Sequence, residues 1–253
     1  MSAIGILGTG HIAAPIARHL ALKGHSITVS QRNHEVATKL SGEIGAEIKE
    51  NQEVVDASEV VLICVRPQIA EEVLGSLKFR SSQRVISVMS GFALADLKRL
   101  CAPATKLELT IPLGFLEFGG CPLPGYPTAD ILADLFAPEN PVIKMPSESA
   151  LNDHLTVCAA IPGVLDILHT VSSWLSAKTG DADGAEFYTT QLISGFLTSM
   201  QKHGVGSLAD QRDAIATQGT YSLALKNALH HNRVHTGLEM ALKEVGESLE
   251  VQA

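Results

Sequence analysis

The chain has no surplus of basic charge: 19 Lys and Arg stand against 27 Asp and Glu, a formal net charge of −8. A duplex nucleic acid partner is therefore not expected, because binding a phosphate backbone wants a basic footprint. A phosphate-bearing small molecule, which needs only one or two local cations, stays open. Cysteine is scarce. The four present, Cys64, Cys101, Cys121 and Cys158, form no CxxC and no metal-ligand spacing, and Cys64 lies inside an apolar run as a buried thiol would. That pattern reads as a reduced, cytoplasmic chain without a metal site. No stretch approaches the roughly 18 consecutive apolar residues of a membrane span. No basic region precedes Ile4, Ile6 and Leu7 at the N-terminus, so neither a span nor a secretory leader is expected. Internal repeats and low-complexity tracts are also missing. What remains, 253 residues of which 45% are hydrophobic and 18% charged, is a folded chain of one large or two modest domains.

The first half alternates. Residues 3–7, 26–30, 59–65, 84–88 and 107–111 are short runs rich in Ile, Val and Leu, separated by segments of helical spacing such as Ile12, Ile16 and Leu20. Strand then helix, repeated, implies right-handed crossovers and a doubly wound, mostly parallel sheet covered on both faces. Gly24 stands where a helix C-cap belongs. Around 112–146 the pattern loosens into a Pro/Gly-rich stretch that reads as an approach to a second domain. The expected division is a nucleotide-binding α/β domain over 1–146 and an all-helical domain over 147–253. Helices are expected at 147–177, 184–202, 221–231 and 234–250, with Ser147 as an N-cap and Gly204 and Gly206 as punctuation. Apolar residues surround much of these helices, including Trp174, so a homodimer or a larger assembly of dimers through this half is expected. Tyr188 reads as core.

The chemistry begins at Gly8-Thr9-Gly10-His11-Ile12-Ala13, a G-x-G-x-x-A directly between the first strand and a helix. In that setting Gly8 permits a tight turn and Gly10 lets the backbone approach a pyrophosphate. Ala13 permits close helix packing, and the helix N-terminus offers its amides. His11 and Ile12 belong to the same loop. At the end of the second strand, where an NAD site usually carries an acid, stands Ser30-Gln31-Arg32. A hydroxyl and a guanidinium suit a 2′-phosphate, which favours NADPH. Val65-Arg66-Pro67-Gln68 closes another strand at the carboxyl edge, where ligands of open sheets lie.

These three motifs resemble those of the pyrroline-5-carboxylate reductase family, whose usual versions are G-x-G-N-M-A, Ser-Asn-Arg and V-K-P-Q. The stretch 211–225 (QRDAIATQGTYSLAL) is similar, without gaps, to that family's L-K-D-x-V-x-S-P-G-G-x-T. Asp213 and Ile215 stand for its Asp and Val, Thr217 for its Ser, Gly219 for its first Gly and Ser222 for its Thr. The resemblance implies NADPH-dependent hydride delivery to a cyclic imine bearing a carboxylate, in the best case 1-pyrroline-5-carboxylate. It implies a dimer interlocked through the helical domain. It further implies that Thr217 and the amides of Gly219, Thr220 and Tyr221 hold the carboxylate, while Ser222 faces the imine nitrogen. A plainer reading makes Thr217 and Ser222 helix N-caps.

The departures from the family lie on the substrate side. Its M-P-N-x-P is Ile111-Pro112-Leu113-Gly114-Phe115 here, and its S-G-S-G-P-A is Cys158-Ala159-Ala160-Ile161-Pro162-Gly163. Its second signature Gly is Thr220 and its Pro is Gln218. A more apolar pocket follows, so another imine or a carbonyl substrate is the alternative, and a nucleotide-binding sensor without turnover is a third. A β-hydroxyacid dehydrogenase would need a lysine on the interdomain helix, and 151–177 contains none.

Overall fold

The computed structural model describes residues 1–200 and 206–252. The chain separates into two compact units, one of residues 1–155 with the C-terminal residues from Ser248, the other of 156–247.

The first unit opens β1 (Ala3–Leu7), α1 (Ala13–Leu22), β2 (Ser26–Ser30), α2 (His34–Ile44), β3 (Glu47–Lys49), α3 (Asn51–Asp56) and β4 (Val60–Ile63). A 3₁₀ turn (Pro67–Ile69), α4 (Ala70–Leu74), β5 (Arg84–Ser87), α5 (Leu94–Leu100) and β6 (Lys106–Thr110) follow. A second 3₁₀ turn (Gly114–Phe118), β7 (Leu123–Tyr126), α6 (Asp130–Phe136) and β8 (Val142–Lys144) complete the layer. The eight strands form one sheet in the order β3-β2-β1-β4-β5-β6-β7-β8. β1 to β6 are parallel, β7 runs antiparallel to β6, and β8 parallel to β7. Ile4, Ile6, Val60, Leu62 and Ile86 are buried against Ile16 and Leu20 of α1 and Leu132 and Leu135 of α6. The central strands are covered throughout, which is why they read as unbroken apolar runs rather than alternating ones. The expected doubly wound fold is what is seen, with Gly24 at φ +85° just past α1.

Residues 112–146 depart from the expectation of a loosened connection, because they add two strands and a helix to the sheet. β7 (LPGY) was hidden by its proline and glycine, which ordinarily argue against a strand. Gly125 is there because α6 lies on it: a Cβ would meet Leu132 Cδ1 at 2.7 Å. The anchor is Glu108, fully buried on β6, which accepts from Thr128 Oγ1 at 2.6 Å and from the Ile131 and Leu132 amides at 3.1 and 3.0 Å. It thereby caps α6, whose own N-cap residue Ala129 has no side chain to do so.

His19 ties α1 to the same region. It is buried, stacks on Phe136 at 5.7 Å, and lies 3.3 Å through Nε2 from Asn140 Nδ2. The Asn140 amide is oriented by donating to the Leu116 carbonyl (3.1 Å) and accepting from the Cys121 amide (3.0 Å). It therefore presents a donor to His19, whose Nε2 must accept and stay unprotonated. Burial, and secondarily Lys23, hold the His19 imidazole below its ordinary range, opposed by Glu139. The unfolded chain takes up this proton below about pH 6.5 while the folded chain does not, so stability is lost as pH falls through that region. His25 is shifted the same way, by burial first and then by the N-terminal amine. Calorimetry should show the wild-type Tm falling more steeply than that of His19→Gln between roughly pH 7.5 and roughly pH 5.5. Parallel curves would remove His19 from the pH response.

α7 (Glu148–Ala159) begins as expected, with Ser147 Oγ accepting the Ala150 amide at 3.0 Å. Glu148 accepts the Leu94 amide of α5 at 2.8 Å. The single helix expected over 147–177 breaks at Ala160, and α8 (Ile161–Thr179) restarts with Pro162 in its first turn. A proline lacks the amide an uninterrupted helix needs there, yet suits a helix start. α9 (Ala182–Ser199), α10 (Ser207–Ile215), α11 (Tyr221–His231) and α12 (Val234–Gln252) follow. Residues 201 and 202 of the expected 184–202 helix, and Gly204, lie outside the described residues. α10 was not legible, being mostly polar.

The second unit buries very little. Among its described residues only Thr156, Ser172, Ala185 and Thr189 are buried, and none is a large apolar side chain. α8 and α9 pack through these small residues and turn their large ones outward. Tyr188, read as core, is 59% exposed for that reason, beside Phe187 at 66% and Trp174 at 63%. The expectation that no stretch reaches membrane-span character also needs correcting. The helical run Glu148–Thr179 holds an 18-residue window of mean hydropathy 1.6, only 11% buried, enough by length and composition alone.

Candidate functional site

The first loop is built by β1. Gly8, at φ +91°, sits so close to β4 that a Cβ would meet the Cys64 carbonyl at 2.8 Å, so no other residue fits. At Gly10 a Cβ would meet nothing within 4 Å, which leaves room for a ligand against the backbone. α1 starts without a capping side chain; Ala14 donates to the Gly10 carbonyl at 3.3 Å and Pro15 has no amide, so the helix start offers the Ala13 amide to the loop. Ala13 is buried between α1 and the sheet.

The β2 end is stitched to that loop twice. Ser30 Oγ accepts the Gly8 amide at 2.8 Å, and Thr9 Oγ1 donates to the Asn33 carbonyl at 3.4 Å. This revises the role expected for Ser30. Its hydroxyl is buried and shapes the glycine turn rather than lying open to a phosphate. Gln31 bonds Glu50, and Asn33 caps α2 by accepting the Val36 amide. Arg32 and His34 are left exposed.

At the β4 end, the Cys64 amide bonds the Leu7 carbonyl at 2.8 Å. Val65 is buried, Arg66 exposed, and Pro67 opens the 3₁₀ turn. Burial pushes the Cys64 thiol up to about 12, so it is a neutral wall group and not a nucleophile.

These three ends surround a cleft of about 490 Å³ lined by Gly8, Thr9, Gly10, Arg32, Asn33, His34, Cys64, Val65, Arg66 and Ile69. No carboxylate lines it, and among the described residues neither Arg32 nor Arg66 makes an ion pair. In a chain of net charge −8 this is a local positive site. Gly8, Gly10, Arg32, Val65 and Arg66 are brought together as expected. His11, Ile12, Ser30 and Pro67 do not line the cleft, and Ile12 packs on the core instead. Thr9, inside the first motif, and Asn33, His34, Cys64 and Ile69, each within two residues of a motif, were overlooked.

The turn before α11 belongs to the second unit. Gly219 is at φ +86°, and Thr220 caps α11 by accepting the Leu223 amide at 3.2 Å while donating to the Thr217 carbonyl at 2.7 Å. The cap is thus Thr220, not Thr217 or Ser222. Thr217, Tyr221 and Ser222 are exposed, Tyr221 at 96%. Asp213 binds Arg212 (2.7 Å) and reaches Lys226 of α11 (3.3 Å), and those cations hold its carboxyl well below the usual range.

The parallel sheet with its glycine-loop cleft is a dinucleotide-binding type of fold, and residues 3–91 match the family model described as NADP oxidoreductase coenzyme F420-dependent. Over its whole length the chain has the fold of the pyrroline-5-carboxylate reductases. The Plasmodium falciparum pyrroline carboxylate reductase with NADP bound aligns with a TM-score of 0.83 at 15% identity, covering 99% of this chain and 98% of that one. The 1-pyrroline-5-carboxylate reductase of Streptococcus pyogenes gives 0.82 at 18% identity, covering 99% and 98%. An imine reductase from a Pseudomonas species gives 0.62 at 18% identity, covering 99% and 90%. No curated protein sequence matches the chain.

Proposed function

We propose that the protein is an NADPH-dependent reductase of a C=N bond, a divergent relative of the pyrroline-5-carboxylate reductases that works in the cytoplasm. The observation that carries this reading is the carboxylate-free cleft at the carboxyl ends of β1, β2 and β4. It joins a mandatory Gly8, an open Gly10 and two cations that make no ion pair among the described residues. These residues fit the cofactor: Arg32 the 2′-phosphate, the Gly8–Gly10 backbone and the start of α1 the pyrophosphate, Arg66 the β4 side. NADPH, when bound, supplies the hydride. The chain's own residues orient the acceptor and exclude water, since a protonated imine needs little further acid catalysis.

In this reading Thr217 and the amides of Gly219, Thr220 and Tyr221 bind the substrate carboxylate, and Ser222 faces the imine nitrogen. Of these, Thr220 drops out, because its hydroxyl is committed to the cap and its amide donates to the Thr217 carbonyl at 3.1 Å, which leaves Thr217 and the amides of Gly219 and Tyr221. Ser222→Ala is expected to lower kcat/KM by about five- to tenfold, the worth of one neutral hydrogen bond, with NADPH affinity unchanged. Steady-state kinetics beside a fluorescence titration check this; an unchanged rate would remove Ser222 from the site.

The best single substrate is 1-pyrroline-5-carboxylate. A different imine or a carbonyl is the second reading, favoured by half-buried Leu113 where that family has an amide side chain. We further propose a homodimer, or an assembly of dimers, closed through the second unit. Its support is the outward-facing apolar surface of α8 and α9, which a unit without large buried residues of its own leaves uncovered.

A further inference from the structure

We propose that His34 is a second cation for the 2′-phosphate, and that it makes the preference for NADPH over NADH rise as pH falls. The inference rests on the NADPH reading above and adds to it a residue and a pH signature.

His34 lines the same cleft as Arg32 and is the first residue of α2, an 11-residue helix. Its backbone position is fixed by the residues that precede it. Asn33, immediately before it, caps the helix through its side chain and receives the Thr9 hydroxyl on its carbonyl. Gln31 is held by Glu50 of the neighbouring loop. A side chain at this place extends from a rigid corner into the cleft that Arg32 also faces.

Arg32, Arg66 and the positive end of α2 all oppose a charged imidazole at His34, so a bound anion is what favours one there. Arg32 and Arg66 line the cleft beside it, and the Cys64 thiol there is neutral. On its own helix Glu35 follows directly, while Lys39 is drawn to Glu43. From α1, Arg18 is occupied by Glu43 and Glu117. From the β3–α3 corner, Glu50 is engaged with Gln31.

Imidazole is the side chain whose charge changes between about pH 5 and about pH 8. A phosphate monoester loses its second charge near pH 6, which by itself weakens a cationic site toward acid. NADH carries the pyrophosphate but no 2′-phosphate. A selectivity for NADPH that grows toward acid therefore requires a group that gains positive charge there, and His34 is the imidazole that lines this cleft.

The test is the dissociation constant of each cofactor, by fluorescence titration, at about pH 8 and about pH 6. Wild type, His34→Gln and Arg32→Ala are compared. The NADPH-over-NADH ratio of the wild type should rise about fivefold toward acid, the scale of one charge-assisted contact. His34→Gln should still prefer NADPH, with a ratio that is flat or declines toward acid. Arg32→Ala should lower the ratio at both pH values and keep the rise. A wild-type ratio that is flat or falls, or a His34→Gln curve superimposable on the wild type, overturns the proposal. Equal affinity for the two cofactors at both pH values would sink the 2′-phosphate reading itself, and this inference with it.

Discussion

Arg32→Ala is expected to weaken NADPH binding by about 10- to 100-fold while leaving NADH within about threefold. The guanidinium stands at the β2 end with no ion pair among the described residues, so none of their carboxylates competes for it. Its removal deletes a bidentate, charge-assisted contact and leaves the fold untouched, because the corner is held by Ser30, Asn33 and Thr9. A titration with both nucleotides separates the cases. Equal losses for NADPH and NADH would mean that Arg32 serves the shared part of the cofactor, or none of it.

The larger effect is expected in the helical unit. Placing Glu at Leu165 and Phe187 together should abolish the dimer, and with it the cooperative folding of 156–247. These side chains are 58% and 66% exposed in the single chain, yet among its described residues that unit has no large buried apolar side chain to sustain it alone. Covering each one is worth about 1.5–3 kcal/mol, and a buried carboxylate at either place reverses the sign. Sedimentation should give a dimer or larger species for the wild type and unfolded or aggregated protein for the double variant. A wild type that is a stable monomer would contradict this, as would one that partitions into lipid vesicles through Glu148–Thr179. The break at Pro162, with Asp153 and Asp166 on the same run, favours a protein partner for these helices.

Much of this was legible in sequence, and the illegible parts have physical reasons. β1, β2, β4, β5 and β6 announce themselves because strands buried on both faces must be apolar throughout. β7 and β8 do not, since they are anchored by Glu108 and Asn140, polar residues whose partners lie 19 to 121 positions away. The glycine loop was readable because Gly8 needs both a positive φ and the room below the Cys64 carbonyl, demands that only glycine meets and that therefore show in the residue itself. Ser30 was misread because its partner, the Gly8 amide, is 22 residues distant and invisible to a reading of the motif alone. His34 was passed over for want of a pattern that marks it; only the cleft shows it beside Arg32. Tyr188 was assigned to a core that the helical unit does not possess.

The most direct measurement is the loss of NADPH absorbance with purified protein and 1-pyrroline-5-carboxylate, run against NADH, a panel of uncharged cyclic imines and a no-substrate control. The account predicts steady turnover of at least one C=N compound with NADPH preferred. Tight NADPH binding without turnover of any of them would contradict the reductase assignment and leave a nucleotide-binding sensor in its place.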